Sequence, residues 1–134
     1  MNFLKIAKLI IELKDADLKF REKLIKEKKL SEGYNNEMET LHIKNAEKLN
    51  EIIDKIGFPT IEKVGIDASE SAWLIIQHSI SKPDFMKKCL KLLENVALEN
   101  KVYEKNLASL SDRINILEGK PQLYGTQFDW DKNG

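Results

Sequence analysis

Apolar residues recur at intervals of three and four positions through most of this chain, with Lys and Glu between them. This spacing constrains the fold more than any other feature, because it has the period of an α-helix and not of a strand. Near the start of the chain, Phe3, Ile6, Leu9, Ile10 and Leu13 follow it. Such a stripe predicts a helix that buries one face and exposes the other. The pattern therefore predicts an all-α fold.

Turn signals divide the pattern into about five helices. They run over roughly 3–29, up to "GFP" at 57–59, from Asp67 through "AWLII", over 83–99 and over 103–118. Pro83 is typical of a helix start, and Gly119 is typical of a position just after a helix end. The helix with "AWLII" is apolar on nearly all sides, so we expect it at the centre of the core. A compact bundle in a single domain, 1–134, is the predicted architecture.

The helix-forming residues stop at "GKPQLYGTQFDW". We expect 119–134 to form a short extended C-terminal segment that lies across the helix ends. Gly125 would allow a backbone bend there. "DKNG" has the form of a hairpin turn. No second strand follows it, so we expect that the chain was truncated there or that its end is loose.

Composition excludes several classes of function. Lys plus Arg and Asp plus Glu both number 22, so no net positive field attracts nucleic acid or anionic lipid. No apolar run reaches the length of a membrane span, and no signal peptide is evident. The lone cysteine, Cys89, has apolar neighbours and is expected to be a buried structural thiol. We expect a cytoplasmic protein without nucleic-acid or membrane partners. Its oligomeric state is left open.

Polar residues stand in or beside the apolar stripes of three predicted helices. These pairs are His42 with Asn45, Gln77 with His78, and Asp112 with Arg113. Taken singly, each has an ordinary structural interpretation, such as a hydrogen-bonded core histidine or a capping pair. Asp17 and Arg21, four residues apart on the first helix, are most simply a surface ion pair.

Taken together, the pairs predict one shared polar pocket. Each buried hydrogen-bonding group left unpaired would cost ~1–3 kcal/mol, and a common site lets the groups satisfy one another or a ligand. The C-terminal segment adds Gln122, Tyr124, Thr126 and Gln127. We expect Tyr124 and Gln127 to point into this pocket. Scattered structural use of the same residues is the alternative.

Three stretches in order, "HIKNAEKLNEIIDKIGFPT", "AWLIIQH" and "LSDRINILEGKPQLYGTQF", resemble a bacterial domain-of-unknown-function family of small helical proteins. The resemblance covers roughly 38–128. It rests on a His-x-x-Asn helix, a Trp-Leu-x-x-Gln-His helix, an Asp-Arg pair and a Tyr-Gly-Thr-Gln segment. Asp17 and Arg21 match the Asp-Gln-x-x-Arg pattern of that family, with Leu18 in place of Gln. The strand and basic tail that usually follow in the family are missing. The resemblance implies no activity.

Three classes of function remain. In the first, which we favour, a pocket binds a small, anionic ligand, and His42 or His78 can act as a general acid or base. Its ligand-binding residues would be Asn45, Gln77, Asp112, Arg113, Gln122, Tyr124 and Gln127. The second is a non-catalytic partner-binding or structural module. The third is a metal site of His42, His78 and Asp112; the histidines lack His-x-x-x-His spacing, so we assign neither a metal nor a cofactor. Whether the protein is an enzyme is undecided.

Overall fold

The computed structural model describes residues 2–27 and 35–127. Within these ranges the chain forms six α-helices: α1 Phe3–Lys26, α2 Asn36–Ile56, α3 Ile61–Val64, α4 Ile66–His78, α5 Pro83–Glu99 and α6 Glu104–Leu117. A 3-10 turn, Lys101–Tyr103, joins α5 to α6. The prediction of an all-α bundle is confirmed, and 119–127, the described part of the C-terminal segment, contains neither helix nor strand. The short α3 lies between the second and third of the predicted helices.

Local signals in the sequence fix most helix ends. The side chain of Asn35 accepts hydrogen bonds from the N–H groups of Glu37 and Met38 and so caps the start of α2. Pro83 is the first residue of α5. At the end of α6, Gly119 has a φ of 74°, and the N–H groups of Gly119 and Lys120 return to carbonyls of the last helical turn. This is the Schellman arrangement that ends a helix with a left-handed glycine.

Helix α4 is the centre of the bundle. It contacts α1, α2, α3, α5 and α6. Ile75 and Ile76 are buried in the core, whereas Trp73 is half-buried and packs against it. The central position predicted for "AWLII" is therefore confirmed, although its aromatic ring lies nearer the surface than expected.

The remaining core comes from the inner faces of the amphipathic helices. Cys89 lies fully buried on α5, and burial raises the pKa of its thiol to about 12. The thiol is therefore protonated at neutral pH, as expected of a structural cysteine. In the part of the chain that the structure describes, no helix combines the length and apolar character needed to cross a membrane.

Candidate functional site

Asp17 lies on the buried face of α1. It stands seven residues from both Ile10 and Leu24, which are buried, and its own side chain is 1% exposed. Arg21, by contrast, is exposed. The interpretation of Asp17 and Arg21 as a surface ion pair is therefore wrong. A carboxylate in this position needs hydrogen-bonding partners within the protein.

Two histidines from other helices meet this carboxylate. Nδ1 of His78, at the end of α4, lies 2.8 Å from Oδ2 of Asp17. Nε2 of His42, on α2, lies 3.2 Å from the same oxygen. The two imidazole rings have centroids 5.0 Å apart and are tilted by 41°. We call these three residues the Asp–His–His centre.

The two histidines stabilise the ionised form of Asp17. Burial alone would raise the pKa of this carboxyl, but the hydrogen bonds and charges of His42 and His78 outweigh it and hold the pKa well below its usual range. Oδ1, the second oxygen, is buried and has no hydrogen-bond partner among the described residues. The side chain of His78 is 20% exposed and that of His42 is 10% exposed. His78 is therefore the more accessible histidine.

Two hydrogen bonds, one between helices and one from the turn after α4, lie near the centre. Nδ2 of Asn45 donates to the carbonyl of Leu13 at 3.0 Å, one turn from His42 on α2 and one turn from Asp17 on α1. On the other side, the hydroxyl of Ser81 donates to a carboxylate oxygen of Glu39. Asn45 thus ties α1 to α2 one turn from His42. Glu39 and Ser81 were missed, because neither interrupts an apolar stripe.

Arg113 brings α6 to the end of α4. Its Nε donates to the carbonyl of Gln77 at 2.8 Å, and its Nη1 donates to Oε1 of Gln127 at 3.3 Å. Burial lowers the pKa of the guanidinium to about 10, so it stays charged at neutral pH. Since His78 directly follows Gln77, Arg113 is anchored to the backbone beside the Asp–His–His centre.

Asp112 holds the C-terminal segment. Oδ1 accepts from the N–H groups of Leu123 and Tyr124, at 2.8 and 3.0 Å. Oδ2 accepts from the N–H and the hydroxyl of Thr126, at 2.9 and 2.8 Å. Burial would raise the pKa of Asp112, but these four hydrogen bonds hold it below its usual range. Both carboxylate oxygens of Asp112 thus accept hydrogen bonds from the C-terminal segment. The carboxylate that meets His42 and His78 is Asp17, and not Asp112 as the metal hypothesis supposed.

The segment closes into a loop over 122–127. The side-chain carbonyl of Gln122 accepts from the N–H of Gln127 at 2.8 Å, and its amide group donates to the carbonyl of Gln127 at 3.2 Å. Gly125 has a φ of 68°, which confirms the bend predicted there. Gln127 also donates to the hydroxyl of Ser109 on α6. We call 122–127 the C-terminal loop.

Tyr124 differs from its prediction. Its backbone N–H binds Asp112, but the residue is 60% exposed, and its neighbour Leu123 is 72% exposed. The ring of Tyr124 therefore lies on the outer side of the C-terminal loop, whereas the side chain of Gln127 contacts Arg113 and Ser109 on α6. The expectations for "DKNG" and for the rest of 128–134 lie outside the described residues.

Comparison with protein-family models assigns the chain to a family. A model described as a family of unknown function (DUF6624) matches residues 6–132, which is nearly the whole chain. No curated protein and no solved structure matched the chain. The resemblance inferred from the sequence motifs is thus confirmed, and the chain belongs to this family of unknown function, DUF6624.

Proposed function

We propose that this protein binds a small anionic molecule beside the Asp–His–His centre, with His78 as the group that gives or takes a proton. One observation carries the proposal. Nδ1 of His78 lies 2.8 Å from a buried carboxylate, while a fifth of the side chain is exposed. A carboxylate on Nδ1 orients an imidazole and favours the tautomer with a proton there, which leaves Nε2 to accept a proton from a ligand.

Arg113 supports the choice of an anion. Its guanidinium is charged, planar and anchored to the backbone next to His78. A guanidinium suits carboxylate and phosphate groups, because its N–H groups form a fork that matches two oxygens. In this proposal Gln77, Gln122 and Gln127 border the ligand, and the exposed ring of Tyr124 does not. Asn45 and Asp112 position the elements around it.

His42 has a supporting role in the same proposal. It shares the carboxylate oxygen of Asp17 with His78 and is the less exposed of the two. A change in the protonation of one ring therefore alters the charge next to the other. The proposed setting is the cytoplasm of a bacterium, without nucleic-acid or membrane partners.

A non-catalytic partner-binding module is the second candidate. The observation in its favour is the exposure of Leu123 and Tyr124, adjacent on a loop that Asp112 fixes. Such a module would use the outer side of the C-terminal loop and would not need the histidines.

Titration of the purified protein with inorganic phosphate, with di- and tricarboxylates and with nucleoside monophosphates tests the first candidate. Binding is followed by thermal shift and by the NMR signals of the two imidazoles, which are the only histidines in the chain. We expect an anion that perturbs His78, and we expect His78→Ala and Arg113→Ala to weaken its binding at least ~10-fold, or ~1.4 kcal/mol. Arg21→Ala is the matched control, because Arg21 is the other arginine and is exposed.

The proposal fails if none of these anions perturbs His78. It also fails if the bound anion is unaffected by His78→Ala and Arg113→Ala in protein that remains helical. A ligand that is lost on replacement of Leu123 and Tyr124 with Ser, and is retained in His78→Ala, would support the partner-binding candidate instead.

A further inference from the structure

We propose that Asp17, His42 and His78 form a binding site for a divalent transition-metal ion of the class of Zn²⁺, Co²⁺ or Fe²⁺. The inference shares its location with the proposed function. It does not depend on the identity of any anionic ligand, since ion binding can be measured alone.

The positions of the three donor groups fit such an ion. One ligand atom from each residue can be chosen so that all lie within 4.8 Å of one another. Oδ2 of Asp17 is 2.8 Å from Nδ1 of His78 and 3.2 Å from Nε2 of His42. Donors bound at ~2.1 Å around a tetrahedral ion are ~3.4 Å apart. Shifts of side chains by less than about 1 Å would therefore admit the ion.

The second oxygen of Asp17 also indicates a bound ligand. Oδ1 is buried, in a side chain that is 1% exposed, and it has no hydrogen-bond partner among the described residues. Buried carboxylate oxygens are normally paired. A metal ion could bind this oxygen directly, or a water molecule on the ion could donate to it. The centre thus contains a buried acceptor that its neighbours among the described residues leave unpaired.

The donor types select the class of ion. Two imidazoles and one carboxylate suit zinc, cobalt and iron, whereas calcium and magnesium prefer oxygen ligands alone. Asp112 and Cys89, two other donor types that such ions accept, lie away from the centre. Both oxygens of Asp112 accept hydrogen bonds from the C-terminal loop, and the thiol of Cys89 is fully buried on α5. The predicted ligand set is therefore two nitrogens and one carboxylate.

The hydrogen bonds that flank the centre would support the ion. Asn45 ties α1 to α2, and Ser81 ties the turn that follows His78 to Glu39 on α2. Groups that orient the ligands of a metal ion affect its affinity strongly. Three protein ligands leave at least one position open on the ion. An anionic molecule could occupy it, so the ion would add to the attraction that the proposed function assigns to Arg113.

The test uses tag-free protein that has been freed of metal with a chelator and then dialysed. Zn²⁺ binding is measured by calorimetry, and Co²⁺ binding is measured by visible absorption. We expect one ion per chain, and we expect Asp17→Asn, His42→Gln and His78→Gln each to weaken binding at least ~10-fold. Asp54→Asn is the matched control, because Asp54 is an exposed aspartate that pairs with Lys88.

X-ray absorption of the zinc-loaded wild-type protein identifies the ligands of the ion, and it tests the proposal even if a variant fails to fold. We expect two imidazole ligands, only oxygen otherwise and no sulfur. The proposal is overturned if no stoichiometric ion binds, if the bound zinc has fewer than two imidazoles, or if the folded variants bind like the control.

The two proposals can fail separately. If an anion binds in the presence of chelator but no ion binds, the metal site is excluded and the proposed function stands. If the ion binds with two imidazoles but none of the tested anions binds with or without it, the metal site stands and the proposed function falls.

Discussion

Removal of the Asp112 carboxylate should release the C-terminal loop from α6. In Asp112→Ala the loop loses four hydrogen bonds at once, three from backbone N–H groups and one from the Thr126 hydroxyl. The loop residues that donate these bonds can turn to water once released, since Leu123, Tyr124 and Thr126 are exposed. The change therefore detaches the loop without leaving a buried charge unpaired.

The expected change in the free energy of unfolding follows from two opposing contributions, the lost hydrogen bonds and the regained backbone entropy. Hydrogen bonds to a charged group contribute ~1.5–3 kcal/mol each, which gives ~6–12 kcal/mol for four. Ordering the backbone of six loop residues costs ~1–2 kcal/mol each, which is again ~6–12 kcal/mol. The two terms nearly cancel, and the remaining bonds of Gln122 and Gln127 add a small net stabilisation. We therefore expect Asp112→Ala to lower the free energy of unfolding by only ~1–3 kcal/mol.

Asp112→Ala should disorder the C-terminal loop, although it lowers the free energy of unfolding only slightly. Hydrogen exchange should show that the amides of Leu123, Tyr124 and Thr126 lose their protection, while urea unfolding gives the change in free energy. Asp112→Asn should not restore the protection of these amides. The NH₂ group of Asn cannot accept a hydrogen bond, and it would face two donors of the C-terminal loop. Asp54→Ala serves as the surface control, with an expected change of ~0–1 kcal/mol. Protected amides together with a change below ~0.5 kcal/mol in Asp112→Ala would refute the reasoning.

The same carboxylate predicts a dependence on pH. Because the folded protein lowers the pKa of Asp112, the stabilisation is present in full above the unfolded pKa of ~3.9 and is lost as the pH falls towards the folded pKa. The difference in stability between wild type and Asp112→Ala should therefore shrink as the pH drops below ~4. A difference that stays constant through this range would show that the carboxylate charge is not what holds the loop.

Two further changes test the packing around the centre. Asn45→Ala removes the hydrogen bond to Leu13 and should lower the free energy of unfolding by ~1–2 kcal/mol in urea; an unchanged value would mean that this bond does not tie α1 to α2. Ile76→Ala removes a fully buried side chain of α4 and should cost ~2–5 kcal/mol, whereas Leu98→Ala, at an 86% exposed position, should stay within ~0.5 kcal/mol; similar costs at both positions would contradict the central place of α4.

Most of the fold could be predicted from the sequence because its signals are local. The helical period, the cap at Asn35, Pro83 at the start of α5 and the glycine after α6 each act within one or two turns. The central place of α4 followed from its lack of a polar face. The half-buried position of Trp73 did not follow, since it depends on how neighbouring helices cross.

The site could be predicted only in part. His42, Asn45, Gln77 and His78 stood out as polar residues in apolar stripes. Asp17 was assigned to the surface because Arg21, four residues on, offered a simple partner. Helix geometry alone indicates that Asp17 is buried, because residues seven positions apart lie on the same face and Asp17 is seven positions from both Ile10 and Leu24. A carboxylate on such a buried face indicates partners on another helix.

The partners of Asp112 could not be predicted from any pattern of side chains, because three of its four donors are backbone N–H groups. Helix geometry nevertheless separates Asp112 from Arg113, since neighbours point about 100° apart. Asp112 faces the C-terminal loop, while Arg113 faces the end of α4. The pair thus joins α6 to two elements. The donors of the Asp–His–His centre are also far apart in sequence, since Asp17 and His78 are separated by 61 positions. The centre therefore exists only in the packed bundle, and any ion or anion that binds there must also stabilise the fold.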